Sequence, residues 1–325
     1  MATTADVLVG SAMIFGSIVC LLTNCVVLTT IALNSDFYVH SSYKIMLLMG
    51  VFDVSQSIGH FITGIFTVAQ YEASYTLYKV VSALFGFITT AFQIIGVMVS
   101  PAYECYVFTT ILLAFNRYIL MCCPWLETQM FSPTANKIWL LICSTVFAGF
   151  AGLHVCNKIY SRYLETEYKW TYDPEFEWNE IRQHLIMYYQ ILGVFVAWLF
   201  YIAITISLFR CRNQVASITR FRANRKILIH AFVIIVYSTL MNMLWHKADL
   251  LIPIGKTHNF IINMMWIGSA GLSPFLCISI NKLLRKRLAA MILTTLPLRL
   301  QVTSSVHVPV NQGQKNSVRS SHELA

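Results

Sequence analysis

Long apolar runs, separated by short polar segments, dominate this chain. They cover about residues 8–33, 45–70, 80–99, 102–123, 138–157, 185–209, 227–246 and 259–281. Each run is close to the roughly 20 residues that an α-helix needs to cross a bilayer. The pattern therefore predicts an all-α membrane protein built from a bundle of spanning helices.

Charged residues between the runs predict which way the helices point. The segment after 185–209 and the segment after the last run carry no acid among their basic residues: Arg210, Arg212, Arg220, Arg222, Arg225 and Lys226 in the first, and Lys282, Arg285, Lys286 and Arg287 in the second. The segment at 158–184 instead holds six acidic residues against four basic ones. The positive-inside rule places the two basic segments in the cytoplasm and the acidic loop outside. Counting back, residues 1–7 lie outside and Arg117 lies at the cytoplasmic side.

The run at 80–99 makes the count eight rather than seven. Joined to the next run, it would form a helix of about 60 Å, twice the thickness of the hydrocarbon. As a separate span it would need a hairpin through Ser100-Pro101 and would move the N-terminus inside. We expect seven true spans, with the extra run re-entrant, interfacial or extraneous.

Composition agrees with a membrane protein and excludes several other classes. Hydrophobic residues make up 57% of the chain and charged residues only 11%, against about 25% charged residues in a soluble domain. The net charge of +9 is concentrated in a few loops, so it is a topology signal and does not predict nucleic-acid binding. The cysteines show no metal-ligand spacing, and no catalytic motif occurs, so we expect no metal, no cofactor and no enzymatic activity.

The end of the run at 102–123 carries a candidate activation switch: Asn116, Arg117 and Tyr118, followed by Pro124. An arginine costs roughly 2.5–3.5 kcal/mol at a helix centre but little at the membrane edge. There a guanidinium can exchange partners between its own bundle and a cytoplasmic protein. A stop-transfer arginine would give the same pattern.

Polar residues within the runs form a second candidate site. Asp53 lies nine residues beyond Lys44, roughly 13 Å along a helix, and Asn24, Ser273 and Pro274 are placed to complete an intramembrane polar cluster. Ionisable residues inside membranes are usually functional. The alternative is a hydrogen bond that only packs helices together.

The outer halves of the runs offer a sketch of a ligand pocket. Its aromatic, polar and ionisable members are Glu104, Tyr188, Gln190, Trp245, His246 and Trp266. Aromatic walls with a few polar anchors suit small organic ligands. Interfacial Trp and Tyr also serve simply as membrane anchors.

The cytoplasmic flank supplies three further predictions. Residues 282–296 alternate basic and apolar positions, as in an amphipathic helix on the membrane surface. Cys122 and Cys123 are juxtamembrane palmitoylation candidates, although buried thiols are an equal alternative. The tail at 297–325 has the polar, Ser- and Thr-rich composition of a disordered segment.

Several short segments resemble the nematode serpentine receptor class T family. They are Ser42-Tyr43-Lys44-Ile45-Met46, Met49-Gly50-Val51-Phe52-Asp53, the segment from His60 to Thr67, Leu113-Ala114-Phe115-Asn116-Arg117, and Ile280-Asn281-Lys282. The resemblance extends over about residues 10–290. It implies a rhodopsin-like seven-helix G-protein-coupled receptor in the plasma membrane, with sensory neurons and their cilia as the expected site. Its implied partners are membrane lipid, a heterotrimeric G protein, and an unknown small-molecule or peptide ligand.

The resemblance also implies roles for single residues, and this chain departs from some of them. Arg117 resembles the arginine that engages the G protein, but Asn116 replaces the usual acid, which weakens any ion pair of the resting state. Ser273-Pro274-Phe275-Leu276-Cys277 resembles Asn-Pro-x-x-Tyr without its tyrosine. The loop at 158–184 has no cysteine, so the usual extracellular disulfide cannot form. We hypothesise that the surplus near residues 85–99 is an insertion, such as an unspliced segment.

Two other classes of membrane protein were weighed. A transporter or an odorant-type channel should show inverted repeats, broken helix pairs or several midplane charges, and the runs hold one Asp and one Glu without an internal repeat. A retinal pigment needs a lysine seven residues before Pro274, where this chain has Ile267.

Overall fold

The computed structural model describes residues 3–69, 86–155, 161–164, 166–172, 176, 178–210, 215–247 and 255–295. Its elements are α1 (Thr4–Leu33), α2 (Ser35–Tyr38), α3 (Ser41–Ala69), α4 (Gly86–Cys122), a 3-10 turn (Pro124–Leu126), α5 (Glu127–Met130), α6 (Pro133–Val155), β1 (Ser161–Leu164), β2 (Lys169–Tyr172), α7 (Asn179–Arg210), α8 (Val215–Lys247), α9 (Lys256–Ile280) and α10 (Lys282–Thr295). Within this part of the chain, seven helices contain a stretch long and apolar enough to cross a membrane: α1, α3, α4 from Val99, α6, α7, α8 from Leu228, and α9. The predicted seven-helix bundle is confirmed.

The extra apolar run does not form a hairpin. Residues 86–99 belong to α4, which continues from Gly86 through Pro101 to Cys122 as one helix. Its 37 residues correspond to about 55 Å at 1.5 Å per residue. The alternative of a turn at Ser100-Pro101 with a separate eighth span is therefore wrong. Residues 80–85 of the run lie outside the described residues.

The predicted basic loop is mostly helix, which corrects the sequence interpretation. Arg210 ends α7 and α8 begins at Val215, so four of the basic residues lie on α8: Arg220, Arg222, Arg225 and Lys226. Arg212, like Cys211, lies outside the described residues. The segment at 215–226 has neither Gly nor Pro, so the spanning helix extends beyond its apolar part at little cost.

The largest buried core surrounds α4, which contacts α3, α6, α7 and α8. It joins Leu113 and Ile119 of α4 to Ala197 of α7 and to Ile234 and Ile235 of α8. Since α4 touches four other spans, a displacement of either end of this helix is felt across the bundle.

A close approach of two glycines joins α1 to α3. A Cβ atom at Gly10 would lie 2.7 Å from the carbonyl oxygen of Gly64 and 2.9 Å from the backbone nitrogen of Val68. A Cβ at Gly64 would lie 3.0 Å from the carbonyl oxygen of Gly10. Small residues at such a crossing let two backbones pack directly, which is a main source of attraction between helices in lipid.

The outer loop between α6 and α7 contains a β-hairpin that the all-helical prediction did not include. β1 and β2 pair antiparallel, with Tyr163 opposite Trp170 and Leu164 opposite Lys169. The rings of Tyr163 and Trp170 are 5.5 Å apart. Alternating aromatic and polar residues on both sides of a short turn favour this pairing.

The predicted amphipathic helix after the last span is present as α10. The Asn281 side-chain oxygen accepts hydrogen bonds from the backbone N–H groups of Leu283, at 3.0 Å, and Leu284, at 3.1 Å, and so caps its start. Leu284 is fully buried, whereas Lys282, Arg285, Lys286 and Arg287 are exposed. An ion pair between Arg287 and Asp36 ties α10 to α2. The predicted tail at 297–325 lies outside the described residues.

The contact of α1 with α3 gives a stability prediction. Gly10→Ala places a methyl group against backbone atoms that cannot rotate away, so we expect the free energy of unfolding to fall by about 1–3 kcal/mol. Gly149→Ala in α6 is the matched control, because a Cβ there meets nothing within 4 Å. Thermal unfolding in one detergent should lower the midpoint for the first variant only. Equal midpoints for both variants would contradict the packing argument.

Candidate ligand pocket and cytoplasmic switch

A cavity of about 390 Å³ opens at the outer end of the bundle. The hairpin, α7, α8 and α9 supply its walls: Tyr168, Lys169, Trp170, Thr171, Gln183, His184, Ile186, Met187, Trp245, His246, His258, Asn259, Ile262 and Asn263. Its size falls within the range of small-molecule sites. Of the pocket residues predicted from sequence, Trp245 and His246 line it directly.

A hydrogen-bonded chain runs from His246 at the cavity to Glu104 in the centre of the bundle. Gln190 Nε2 donates to Glu104 Oε1 at 2.8 Å. His246 Nε2 lies 2.9 Å from Gln190 Oε1, and since an amide oxygen only accepts, this histidine nitrogen carries the hydrogen. Tyr189 also donates to the Glu104 carbonyl oxygen at 3.1 Å. The chain joins α8, α7 and α4 through groups that polarise one another in the same direction.

Trp266 forms the floor beneath the cavity. Its ring packs edge-on against Trp245, with centroids 5.0 Å apart, against His60 at 4.9 Å, and against Tyr103 at 5.4 Å. Its indole N–H donates to Gln56 Oε1 at 2.8 Å. A ligand that moves Trp245 would therefore press on α9, α3 and α4 together.

The hairpin closes one side of the cavity and is held by polar contacts to three helices. Asn263 Nδ2 donates to the Tyr168 carbonyl oxygen, and Asn259 Nδ2 donates to the Glu167 carbonyl oxygen at 2.8 Å. The Tyr168 hydroxyl donates to Asp6 at the start of α1. Tyr163 and Thr67 of α3 share a hydrogen bond of 2.7 Å between their hydroxyl groups. These contacts hold the loop without the disulfide that its sequence precludes.

Tyr168 is suited to a lasting hydrogen bond. Its φ of 54° is unusual for a residue with a side chain, and the turn residues of the hairpin impose it. Burial and then the hydrogen bond to Asp6 raise the pKa of Tyr168 to about 12. The hydroxyl therefore remains a donor at any physiological pH.

Asn24 and Pro274 meet at the middle of the bundle. Proline has no N–H, so Pro274 leaves the carbonyl of Ala270, four residues earlier, without its helical partner. Asn24 Nδ2 donates to that carbonyl oxygen at 2.8 Å and to the Cys20 carbonyl oxygen at 3.0 Å. This contact satisfies the interrupted helix and links α1 to α9.

Asp53 is placed differently from the sequence sketch of one polar cluster. It is fully buried, and neither carboxylate oxygen has a hydrogen-bond partner among the described residues. Cys20 of α1 and Tyr106 of α4 are within electrostatic range. Ser273 contributes its carbonyl oxygen, 3.2 Å from His230 Nε2, rather than a contact to Asp53.

Arg117 is inside the bundle, not at its surface. Its side chain is 1% exposed, and none of its three guanidinium nitrogens has a hydrogen-bond partner in the described part of the chain. Four helices bring groups within electrostatic range: Tyr43 of α3, Tyr201 of α7, His230 of α8 and Cys277 of α9. The printed ion pairs of the described residues do not include Arg117. The sequence placed this arginine at the cytoplasmic end correctly but did not predict its burial.

The segments singled out in the sequence meet around this arginine. Asn116 Nδ2 donates to the Ser41 hydroxyl at 2.9 Å, and the Ser42 hydroxyl donates to Asn116 Oδ1 at 2.7 Å. Asn281 Nδ2 donates to the Tyr43 hydroxyl at 2.6 Å. The start of α3 therefore clamps the ends of α4 and α9 by neutral hydrogen bonds where an acid would have formed an ion pair.

The remaining predicted residues have ordinary surroundings. The Tyr118 ring packs on Phe200 at 5.6 Å, and Pro124 begins the 3-10 turn that follows α4. Cys122 and Cys123 are half-buried. Tyr188 is 64% exposed and lies on the outer surface of α7, so its assignment to the pocket is wrong. Its neighbour Tyr189 makes the inward contact, because adjacent residues of a helix point about 100° apart.

Sequence reasoning missed the polar residues that hold the hairpin and the floor: Asp6, Gln56, Tyr168, His258, Asn259 and Asn263. Asn259 and Asn263 are four residues apart, so they share one helix face, and this spacing could have revealed them. Tyr168 gave no such signal, since its role depends on the turn. Within the described residues, no group of three His, Cys, Asp or Glu side chains is arranged to hold a metal.

The anchoring of the hairpin gives a dynamics prediction. Asn259→Ala with Asn263→Ala removes two hydrogen bonds to its turn, each worth about 1 kcal/mol. We expect amide exchange of Ser161–Tyr172 to accelerate about tenfold or more, measured by mass spectrometry. Ser269→Ala in α9, whose hydroxyl bonds its own helix at Trp266, should leave that exchange unchanged. Unaltered exchange in the double variant would mean that other contacts hold the loop.

The geometry agrees with a comparison against protein families. A family model described as serpentine type 7TM GPCR chemoreceptor Srt matches residues 2–300. No curated protein matches the chain. The match spans all seven membrane helices, the outer cavity and the buried arginine. The chain therefore belongs to the serpentine type 7TM GPCR chemoreceptor Srt family and is a multi-pass membrane protein.

Proposed function

We propose that a small molecule or peptide binds in the outer cavity and that α4 transmits its effect to a heterotrimeric G protein. The observation that carries this proposal is the placement of both contacts on one helix. Glu104 of α4 bonds to the Gln190–His246 chain beneath the cavity, and Arg117 of α4 is buried at the cytoplasmic end. Thirteen residues separate them, about 20 Å of helix.

The floor of the cavity offers a second connection to the same end. Trp266 joins Trp245 to α9, and Pro274 lies eight residues farther along that helix. A proline inside a span is a point where the helix bends. Movement of Trp266 would then shift the inner half of α9, where Cys277 lies within electrostatic range of Arg117.

The resting clamp around Arg117 is weak in electrostatic terms. An unpaired buried charge is costly, and Asn116 supplies an amide where an acid would neutralise the guanidinium. Opening of the cytoplasmic end would expose Arg117 to a G protein and relieve that cost. We therefore expect appreciable activity without a ligand. The basic residues on the extension of α8, including the exposed Arg225, are the proposed flanking contacts.

Arg117→Ala tests this function without a known ligand. We expect basal nucleotide exchange on a co-expressed G protein to fall at least tenfold, a loss of about 1.4 kcal/mol in coupling. Surface expression should not fall, since the variant removes a buried unpaired charge. The measurement is guanine-nucleotide exchange in isolated membranes with a panel of Gα subtypes.

Arg162→Ala, in the outer hairpin, is the control because it removes an arginine from the opposite face. It should keep the exchange rate of the unmodified receptor. If Arg117→Ala couples as well as that control, the proposed role of this arginine is wrong.

Asp53→Asn tests whether the buried carboxylate is part of the switch. The amide has nearly the same volume and removes an unpartnered acid, so we expect a higher unfolding temperature together with a changed rate of basal exchange. Both are measured on the same membrane preparation. A gain in stability with an unchanged exchange rate would return Asp53 to a packing role.

A further inference from the structure

A groove between α1, α3 and α6 has no part in the proposed signalling route. Its volume is about 720 Å³. Apolar residues line its wall, among them Leu28 of α1, Leu48 and Val51 of α3, and Leu140 of α6. Val51 and Leu140 are 56% and 52% exposed. In a membrane this wall faces hydrocarbon, so an acyl chain is its natural neighbour.

One end of the groove is positively charged. Lys44 and Lys137 are the only charged residues among its lining, and no carboxylate lines it. Neither lysine appears in the ion pairs of the described residues. Lys44 Nζ lies 5.2 Å from the centre of the Tyr38 ring, a contact that holds the cation without neutralising it.

The backbone adds to this charge. α3 begins at Ser41 and α6 at Pro133, so each lysine lies within about one turn of a helix N-terminus. Neither helix has an acidic residue in its first turn, where a carboxylate usually complements the helix dipole. Two helix ends and two lysines thus present positive potential without a complementary anion on the protein.

The charged end and the apolar wall are arranged along the direction of a lipid molecule. From Lys44 to Val51 the helix α3 advances seven residues, about 10 Å. The lysines are at the end of the bundle that holds Arg117, which is the cytoplasmic side by the distribution of basic residues. The cytoplasmic leaflet is also the one that carries anionic lipids.

We propose that the groove binds an acidic phospholipid of the cytoplasmic leaflet. Its phosphate lies between Lys44 and Lys137, and an acyl chain follows the wall past Leu48 and Val51 into the hydrocarbon. The bound lipid braces the beginning of α3, which holds Asn116 through Ser41 and Ser42. This proposal does not depend on the identity of the ligand or the G protein.

Native mass spectrometry of the purified full-length chain tests the site by lipid titration. We expect phosphatidylserine to bind more tightly than phosphatidylcholine of the same acyl chains. A lysine near the membrane surface contributes about 1 kcal/mol to attraction of anionic lipid, which is about fivefold in affinity. Lys44→Gln with Lys137→Gln should therefore weaken phosphatidylserine binding about 25-fold.

Two further variants separate the groove from general surface charge. Lys282→Gln with Lys286→Gln, on α10, removes the same charge at the same membrane face and should keep the tight binding. Val51→Trp fills the apolar wall and should weaken phosphatidylserine binding with both lysines intact.

Three outcomes would overturn the proposal. Equal losses in the two double variants would reduce the preference to non-specific charge. Equal affinity for phosphatidylcholine would mean that the lysines do not select the headgroup. Competition by soluble glycerophosphoserine at the concentration of the lipid itself would mean that a phosphate binds there without an acyl chain.

Discussion

A bilayer offers no hydrogen-bond partners, so each polar group in a spanning helix must find one within the bundle or remain unpaired. The contact between Asn24 and the Ala270 carbonyl shows how this constraint shapes the protein. Pro274 interrupts α9 and leaves that carbonyl without its helical partner, and an amide from α1 replaces the lost bond at 2.8 Å. The bend in α9 is thus stabilised by a neighbouring helix, and the position of α1 depends on the bend.

The same constraint divides the molecule into an outer half with paired polar groups and an inner half where several are unpaired. In the outer half Gln190 uses both ends of its amide, on Glu104 and on His246, and Asn263 bonds both the hairpin and its own helix. Deeper in the bundle, Asp53 and Arg117 have no hydrogen-bond partners among the described residues. Unpaired buried charges raise the energy of the state that contains them. A conformation that gives them partners therefore competes with the one described here, and a receptor needs two such conformations of similar energy.

Sequence predicted the features that depend on hydropathy and charge, and it failed where side-chain direction or helix propagation decided the outcome. Seven spans, the amphipathic helix after them and the pairing of pocket candidates on α4, α7 and α8 follow from apolar length and from ionisable residues at membrane depth. Tyr188 and Tyr189 were indistinguishable by composition, yet only one points inward. The run at 80–99 was difficult because a helix longer than the bilayer is improbable from thickness alone, whereas the backbone continues through Pro101 regardless.

The absence of a cysteine in the outer loop has a consequence for how this receptor could respond. A disulfide would hold the loop over the cavity by a covalent bond, whereas here hydrogen bonds from Asp6, Asn259 and Asn263 do so. Each such bond is worth about 1 kcal/mol net, so the hairpin can open locally at a cost far below that of unfolding the bundle. Its anchors lie on α1 and α9, the two helices that Asn24 joins at Ala270. Displacement of the hairpin by a ligand therefore acts on the same pair of helices whose contact supports the bend at Pro274.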